Sequence, residues 1–457
     1  MEWLNKIKPL FFVYSFIVCL MFAQYAEASN SINPSSVKSV SIVLPKDGGV
    51  IMKNIASVLS ARIEKRSKVR VAIGDGGELK ILLVIKHDIG SEGFRISDAG
   101  HSIIRIIGND ARGVLYGVGK FLRTSTYNRN EFVPGKWRGT SIPQKSVRGI
   151  YLATHFYNYY QNAPVEEVER YMQDIALWGY NTFMFWYDMH QFNGFNDPEA
   201  ISFRKRLRQF VETARQLDIK VAFIMVGNEG YANSPVSIRA DPGAWRGGHY
   251  ACDICPNKPG GLKYILKTTI KFFDSCKDFK PADICIWPYD QGGCGTASCQ
   301  PWGSNGFIKC AGNISRIAEE KLPGVKIVLS TWYFDSVEWK GLTDTIASGA
   351  KWMDMIMAEK INSKYKGIFG SVPGNLPIVG FPEISMYKTF PWGGFGATPL
   401  PNHLLEQWKK VQDKLSGGFP YSEGIFDDIN EVIIAGLYWD SDTPVEKTLK
   451  EYIAYEY

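Results

Sequence analysis

Residues 147–189 decide the fold, and they read VRGIYLATHFYNYYQNAPVEEVERYMQDIALWGYNTFMFWYDM. The stretch begins with a short and mostly apolar run, Val147–His155, which is typical of a buried strand. Apolar residues then recur at helical spacing over Val165–Trp178, and a second apolar run, Asn181–Met189, follows. A strand, an amphipathic helix and another strand in this order predict a parallel β/α unit.

The same alternation continues toward the end of the chain. Further strands are predicted at Lys220–Gly227, Asp283–Asp290, Val325–Asp335, Trp352–Glu359, Leu376–Glu383 and Phe419–Glu423. Further helices are predicted at Ala200–Leu217, Leu262–Cys276, Ile308–Leu322 and His403–Leu415, with none evident after the sixth strand. Eight such strands close a barrel. We therefore predict an α/β fold class in which residues 147–457 form a (β/α)8 TIM barrel.

An open, doubly wound sheet would also alternate strands and helices. Polar residues follow nearly every predicted strand, however, whereas an open sheet concentrates its site at one switch point. This distribution favours the barrel.

Residues 31–143 have a different pattern, which predicts a small α+β domain ahead of the barrel. Short apolar runs separated by turn residues predict strands at Val40–Leu44, Val69–Ile73, Leu79–Ile85, Phe94–Ile96 and Ile103–Ile107. Helical spacing of apolar residues predicts helices at Met52–Lys65 and Ala111–Arg123. Pro134, Gly135 and Pro143 mark the linker to the barrel.

Residues 1–28 are predicted to be a secretory signal peptide. Lys6 and Lys8 precede an apolar run, Leu10–Phe22, and small residues follow at Ala26 and Ala28. The run is shorter than the roughly 20 residues of a membrane-spanning helix. We therefore expect a secreted or periplasmic protein without a membrane span.

Composition excludes some partners and permits others. The net charge of +6 is spread over 457 residues without a run of Lys or Arg, so we expect no nucleic-acid partner. Aromatic residues make up 14% of the chain, which permits surfaces that stack on sugar rings, although ordinary core packing also uses such residues.

Seven cysteines follow the predicted signal peptide, at positions 252, 255, 276, 285, 294, 299 and 310. Export permits disulfides, but an odd number leaves at least one thiol unpaired within the chain. The spacings of Cys252 with Cys255 and of Cys294 with Cys299 are also compatible with zinc ligands, although no His pair follows the second. Disulfides, free thiols and a metal site all stay open.

Carboxylates and aromatic rings gather where the predicted barrel strands end. The candidates are His155, Trp186, Glu229, Trp287, Tyr289, Asp290, Trp332, Glu359, Glu383 and Glu423. In a β/α barrel these strand ends form the active site. Hydrolysis of a glycosidic bond needs two carboxyl groups, one as acid and one as nucleophile or base. Crowded carboxylates also raise one another's pKa, which suits an acid.

Each candidate also has a structural explanation. Asp188 and Asp335 suit the N-cap of a following helix. Asp290 does not, because Gly292 and Gly293 follow it, and Glu383 ends an apolar strand where an unused carboxylate would be costly to bury. The carboxylates Glu229, Glu359 and Glu423 can be merely solvated, and the rings of Trp287, Tyr289 and Trp332 can be core packing.

Two segments resemble known glycosidases. Asp110-Ala111-Arg112-Gly113 with Tyr116-Gly117 resembles the domain that precedes the barrel in family 20 β-hexosaminidases and family 67 α-glucuronidases. Arg148-Gly149-Ile150-Tyr151-Leu152 with His155-Phe156 is similar to the first barrel strand of the hexosaminidases, and the resemblance is strongest over residues 103–190.

The resemblance implies roles for individual residues. Arg148 would bind sugar hydroxyls, as the hexosaminidase arginine does. Family 20 enzymes end the fourth strand in an Asp-Glu pair whose Glu is the acid, but here the pair is Asp290-Gln291, and glutamine cannot donate a proton in that way. The family 67 pattern implies Asp290 as the acid, Glu383 as base or nucleophile and Glu359 as its partner.

The sequence therefore predicts a secreted glycoside hydrolase that acts on an oligosaccharide or polysaccharide. We expect no cofactor and no metal in its chemistry. Two alternatives stay open: a non-catalytic glycan-binding protein, indicated by Gln291, and a zinc-dependent enzyme that uses the cysteine loop.

Overall fold

The computed structural model describes residues 35–46, 48–242, 251–289, 292–358, 375–385, 398–424 and 426–457. The predicted signal peptide, Asp290, Gln291 and Glu359 lie outside these ranges. No helix in the part of the chain that the structure describes has the length and apolarity needed to cross a membrane.

The first part of the chain forms a six-stranded mixed sheet with two helices. Its strands are β1 (Ser39–Val43), β2 (Arg70–Ile73), β3 (Leu79–Ile85), β4 (Phe94–Gly100), β5 (Ile103–Gly108) and β8 (Gly139–Ser141), and the hairpin of β6 (Thr126–Asn128) and β7 (Glu131–Val133) stands apart. The spatial order is β2-β1-β3-β5-β4-β8. Helix α1 spans Gly49–Ser67 and α2 spans Ala111–Arg123. All seven elements predicted here are present.

Helix α2 shows how its local sequence encodes the element. Asp110 caps the helix, since its Oδ1 accepts a hydrogen bond from the backbone N–H of Gly113 at 2.9 Å. Gly117 allows close packing on the sheet, because a Cβ there would lie 2.6 Å from Cγ2 of Ile106. The buried face of the helix then joins the core of the sheet.

The second part is a closed parallel barrel. Its strands are β9 (Val147–Leu152), β10 (Thr182–Trp186), β11 (Lys220–Val226), β12 (Asp283–Trp287), β13 (Lys326–Ser330), β14 (Met355–Ala358), β15 (Ile378–Gly380) and a last strand in two pieces, β16 (Gly417–Gly418) and β17 (Tyr421–Ser422). Each strand pairs with the next, and β9 pairs with both β10 and the last strand. The predicted (β/α)8 barrel is confirmed.

Helices surround the barrel. They are α3 (Tyr159–Asn162), α4 (Val165–Leu177), α5 (Pro198–Gln216), α6 (Gly261–Cys276), α7 (Gly306–Lys321), α8 (Ser336–Ala347), α9 (Pro401–Lys409), α10 (Asp428–Trp439) and α11 (Val445–Glu456). The sequence interpretation omitted α3, α8, α10 and α11. For α8 the signal was present, because Asp335 and Glu338 form a capping box at its start.

The observed barrel strands are shorter than predicted at their carboxyl ends. Residues such as His155, Asp188 and Asp335 leave the strand pairing and enter the loops that follow. These loops form the mouth of the barrel, where side chains from different strands meet.

Candidate active site

A cavity of about 210 Å³ opens at the carboxyl ends of the barrel strands. It is lined by Tyr151, His155, Phe156, Trp186, Ile224, Val226, Trp287, Trp332, Phe381, Tyr421 and Glu423. Five of the predicted site residues are therefore brought together: His155, Trp186, Trp287, Trp332 and Glu423. Aromatic rings dominate the lining, and Glu423 is its only carboxylate among the described residues.

Three rings form one wall of the cavity. The ring centroids of Trp287 and Phe381 are 4.8 Å apart, and that of Trp332 lies 5.3 Å from each of the two. Mutual packing of this kind fixes the orientation of each ring. The wall is therefore an apolar surface made of rings held in fixed, mutually tilted orientations.

Glu423 supplies a carboxyl group to this apolar space. Burial raises its pKa above the ordinary value, while a hydrogen bond from the hydroxyl of Tyr421 at 3.0 Å opposes that shift. The backbone is held by Asp427, whose Oδ2 accepts from the N–H of Glu423 at 2.8 Å and of Gly424 at 2.9 Å. Glu423 thus keeps its proton to higher pH than a solvated glutamate does.

His155 is a second polar group in the cavity. Burial lowers its pKa to about 4, although Asp188 acts in the opposite direction. The imidazole is therefore neutral near pH 7. Its Nδ1 is buried and has no hydrogen-bond partner in the described part of the chain. Because buried polar atoms are nearly always bonded, this nitrogen is available to a ligand or to water.

The turn after β9 places an aromatic ring at the cavity edge. Phe156 and Tyr157 adopt φ values of 55° and 60°, a region that bulky residues rarely occupy. Phe156 lines the cavity, and its ring contacts His155 at 4.2 Å between centroids. Strained backbone of this kind is common at functional sites.

A buried network of charged groups stands behind Trp186. Glu229 accepts hydrogen bonds from the indole Nε1–H of Trp186 at 3.2 Å and from the N–H of Met189 at 2.6 Å. The imidazole of His190 lies 2.9 Å from Asp188 and 2.7 Å from Asp253. Burial lowers the pKa of His190, but the two aspartates outweigh this effect and bring it well above its ordinary value.

This network positions the cavity wall rather than lining the cavity. Burial raises the pKa of Glu229, which is 2% exposed. The predicted substrate contact of Glu229 is therefore indirect, through the orientation of Trp186. Sequence reasoning missed His190 and Asp253, and the only local signal was a histidine two residues after a strand-end aspartate.

Two predicted substrate-binding residues lie elsewhere. Arg148, 1% exposed, is at the amino end of β9, where it donates to the carbonyl oxygens of Gly179 and Lys145 at 2.8 Å and to the carboxylate of Glu92. The buried hydroxyl of Tyr289 donates to Glu338 of α8. The sugar-binding interpretation of Arg148 does not fit this position, because its guanidinium is enclosed at the opposite end of the barrel.

The predicted catalytic carboxylates are only partly described. Asp290 and Glu359 lie outside the described residues. Glu383 follows β15 and is half-buried, and its backbone forms a bridge with Tyr421. Because Tyr421 lines the cavity and bonds Glu423, Glu383 lies beside the cavity wall.

Sequence reasoning also missed several lining residues: Tyr151, Phe156, Phe381 and Tyr421. Each lies within or just beyond the end of a barrel strand, and each is aromatic. An aromatic residue at a strand end was therefore a usable signal, but it does not distinguish a cavity wall from core packing.

No family model matches the chain, and no curated protein matches its sequence. Solved structures match its fold. A GH20 exo-β-N-acetylglucosaminidase from Vibrio harveyi is 12% identical with a TM-score of 0.63, over 92% of this chain and 73% of that chain. A β-N-acetylhexosaminidase from Bacteroides fragilis is 12% identical with a TM-score of 0.61, over 92% of each chain. A chitobiase from Flavobacterium johnsoniae is 15% identical with a TM-score of 0.60, over 93% of this chain and 70% of that chain.

These likenesses establish that the chain has the fold of the family 20 hexosaminidases, with the small domain and the barrel both covered. They confirm the family 20 part of the resemblance seen in the sequence. The family 67 part stays a prediction.

Proposed function

We propose that this protein is an exported glycoside hydrolase that cleaves a glycosidic bond in a polysaccharide or complex glycan. The observation that carries the proposal is the aromatic cavity at the barrel mouth, which contains the half-buried Glu423. The family 20 fold supports it, and the predicted signal peptide at residues 1–28 supports export.

The cavity suits a sugar ring. Pockets for drug-sized ligands are commonly about 300–1,000 Å³, so a cavity of about 210 Å³ favours a smaller ligand, on the order of one sugar unit. The C–H faces of a sugar can stack on the wall of Trp287, Trp332 and Phe381. His155 and Glu423 can exchange hydrogen bonds with its hydroxyls.

The acid–base chemistry is assigned to three carboxylates. Asp290, three residues after the cavity residue Trp287 in the sequence, is the acid that protonates the leaving oxygen. Glu383, beside the cavity wall, is the base or nucleophile, with Glu359 as its partner. Two carboxyl groups on different strands are what glycosidic hydrolysis requires.

The test is a screen of the purified protein on aryl glycosides and natural glycans, with aryl N-acetyl-β-glucosaminides included because of the structural neighbours. On a substrate that it cleaves, Asp290→Asn and Glu383→Gln should each lower turnover by at least about a hundredfold, the usual range for acid–base groups. Glu423→Gln should mainly raise KM, because Glu423 is assigned to binding.

The matched control is Glu319→Gln, an exposed carboxylate on α7, which should leave both kcat and KM unchanged. Circular dichroism of each variant separates lost chemistry from lost folding. Near-normal turnover in both Asp290→Asn and Glu383→Gln would reject the catalytic assignment.

A glycan-binding protein without activity is the second candidate, and it is favoured by Gln291 in place of an acid. It predicts that a glycan array gives saturable binding while no member of the panel is cleaved. Trp287→Ala should then abolish binding, because the wall loses one of its three mutually packed rings.

A further inference from the structure

Three buried cysteines meet outside the cavity. The Sγ atoms of Cys255, Cys294 and Cys299 all lie within 4.8 Å of one another. Cys255 precedes α6, whereas Cys294 and Cys299 belong to the loop that follows β12. None of the three lines the cavity. Two separate loops thus bring three thiols to one point.

The sulfur spacing matches a shared metal ion. The Sγ atoms of Cys255 and Cys299 are 3.7 Å apart. Two thiolates bound to one tetrahedral Zn²⁺ at about 2.3 Å each lie about 3.8 Å apart, whereas a disulfide needs about 2.05 Å. All seven cysteines after the predicted signal peptide are free thiols in the structure.

Polar groups around the sulfurs suit thiolates. The amide Nδ2–H of Asn257 donates to Sγ of Cys299 at 3.2 Å. The hydroxyl of Thr296 lies 3.4 Å from Sγ of Cys294 and 3.7 Å from Sγ of Cys255. Lys258 is close enough to Cys255 and Cys294 to interact with them electrostatically. Donors that contact ligand atoms in this way stabilise the charge of a metal–thiolate centre.

We propose that Cys255, Cys294 and Cys299 bind one Zn²⁺ in a structural site. Thiolate ligands select zinc among the common divalent ions. The three thiolates fill three of the four tetrahedral positions, and the hydroxyl of Thr296 is placed to donate to their sulfurs. The site has no part in hydrolysis, because its ligands lie outside the cavity.

The zinc would join two loops at the barrel mouth. The same loops are already linked by Asn228, whose Nδ2 donates to the carbonyl oxygens of Gly293 at 2.9 Å and Ile254 at 3.0 Å. The loop after β12 follows directly from Trp287 of the cavity wall. Metal binding therefore stabilises the segment that carries one side of the cavity.

The test is metal analysis of the full chain, produced with added zinc chloride and purified without chelator. We expect about one zinc per chain by elemental mass spectrometry. Cys294→Ser and Cys299→Ser should each weaken zinc binding by at least about a hundredfold, since loss of mere supporting contacts costs about 10–100-fold. The control is Cys276→Ser, a buried cysteine at the far end of α6, which should keep its zinc.

Two further measurements guard against variants that fail to fold. A chelator should lower the melting temperature of the wild type and of Cys276→Ser. Cobalt bound to the wild type should give thiolate charge-transfer absorption. A wild type without zinc, or peptide mapping that finds a disulfide among the three cysteines, would overturn the proposal, and neither result depends on glycoside hydrolysis.

Discussion

Polar groups at the two ends of the barrel differ in the partners that surround them. At the amino end, Arg148 is enclosed with Glu92, which also contacts Arg112 at 3.2 Å and Asn181 at 3.0 Å. At the carboxyl end, the cavity contains Glu423 among aromatic rings and His155, whose Nδ1 has no hydrogen-bond partner among the described residues. At the first end the polar groups are bonded to one another, whereas at the second end two polar groups face the cavity.

One strand contributes to both ends. Arg148 and Tyr151 lie three residues apart on β9, yet Arg148 meets the small domain and Tyr151 lines the cavity. In a β/α barrel the carboxyl face carries chemistry and the amino face carries stability. Position along the strand, rather than residue type, therefore decides the role of each side chain.

The amino end is tested by Arg148→Met. We expect a loss of up to about 3 kcal/mol in the free energy of unfolding, because Glu92 loses its buried partner Arg148 while it keeps the contact with Arg112. Urea denaturation measures it. The double variant with Glu92→Gln should recover part of the loss, since the carboxylate that has lost Arg148 is then uncharged. A comparison variant, Lys340→Ala, breaks an exposed ion pair with Asp344 and should cost about 0.5 kcal/mol or less.

The opposite result is equally informative. If Arg148→Met keeps its stability and instead raises KM for a cleaved glycan, then Arg148 binds sugar and the contrast between the two ends fails.

A buried carboxyl for which the described residues supply no ion pair provides a further test of the contrast. Glu431 of α10 accepts a hydrogen bond from the hydroxyl of Tyr171 at 2.5 Å, and burial raises its pKa from 4.5 to about 8. The folded state therefore favours the protonated form, so the contribution of Glu431 to stability is fully present below pH 4.5 and is lost as pH rises toward 8. Relative to Glu431→Gln, the wild type should lose up to about 1.4 kcal/mol per pH unit in that window.

Urea denaturation at pH 5 and pH 8 measures this difference. Glu92→Gln is the control of opposite sign: burial would raise the pKa of Glu92, but Arg148 and Arg112 bring it below 4.5. Its stabilisation is present above pH 4.5 and is lost only as pH falls. Parallel pH profiles of the wild type and Glu431→Gln would contradict the shift.

The smallest effect is expected at the carboxyl end, from Tyr421→Phe. This change removes the hydroxyl that bonds Glu423, and because that bond lowers the pKa of Glu423, its loss should raise that pKa further. Carbon NMR of labelled glutamate can follow the titration. Tyr157→Phe, at an exposed ring beside the cavity edge, should leave it unchanged. An unshifted titration in Tyr421→Phe would show that the hydroxyl of Tyr421 has no part in setting the pKa of Glu423.

Much of the fold could be predicted from local sequence. The eight strands follow from apolar runs, and α2 and α8 begin at aspartates whose side chains bond the first turn. Trp186, Trp287 and Trp332 line the cavity, and their contact with a substrate stays a prediction. The catalytic assignments of Asp290, Glu359 and Glu383 stay predictions. The interpretation of Arg148 failed because its residue type suggested a ligand contact that its place on β9 prevents.

What the sequence determined by itself was therefore the order of strands and helices, since these follow from the spacing of apolar residues and from capping residues close by. Only the tertiary structure decided which residues far apart in the sequence come into contact: Arg148 with Glu92, Glu229 with Trp186, and Cys255 with Cys294 and Cys299. Such contacts depend on the register of neighbouring barrel strands and on the conformation of the loops. The spacing of residues along the chain specifies neither the register nor the loop conformation.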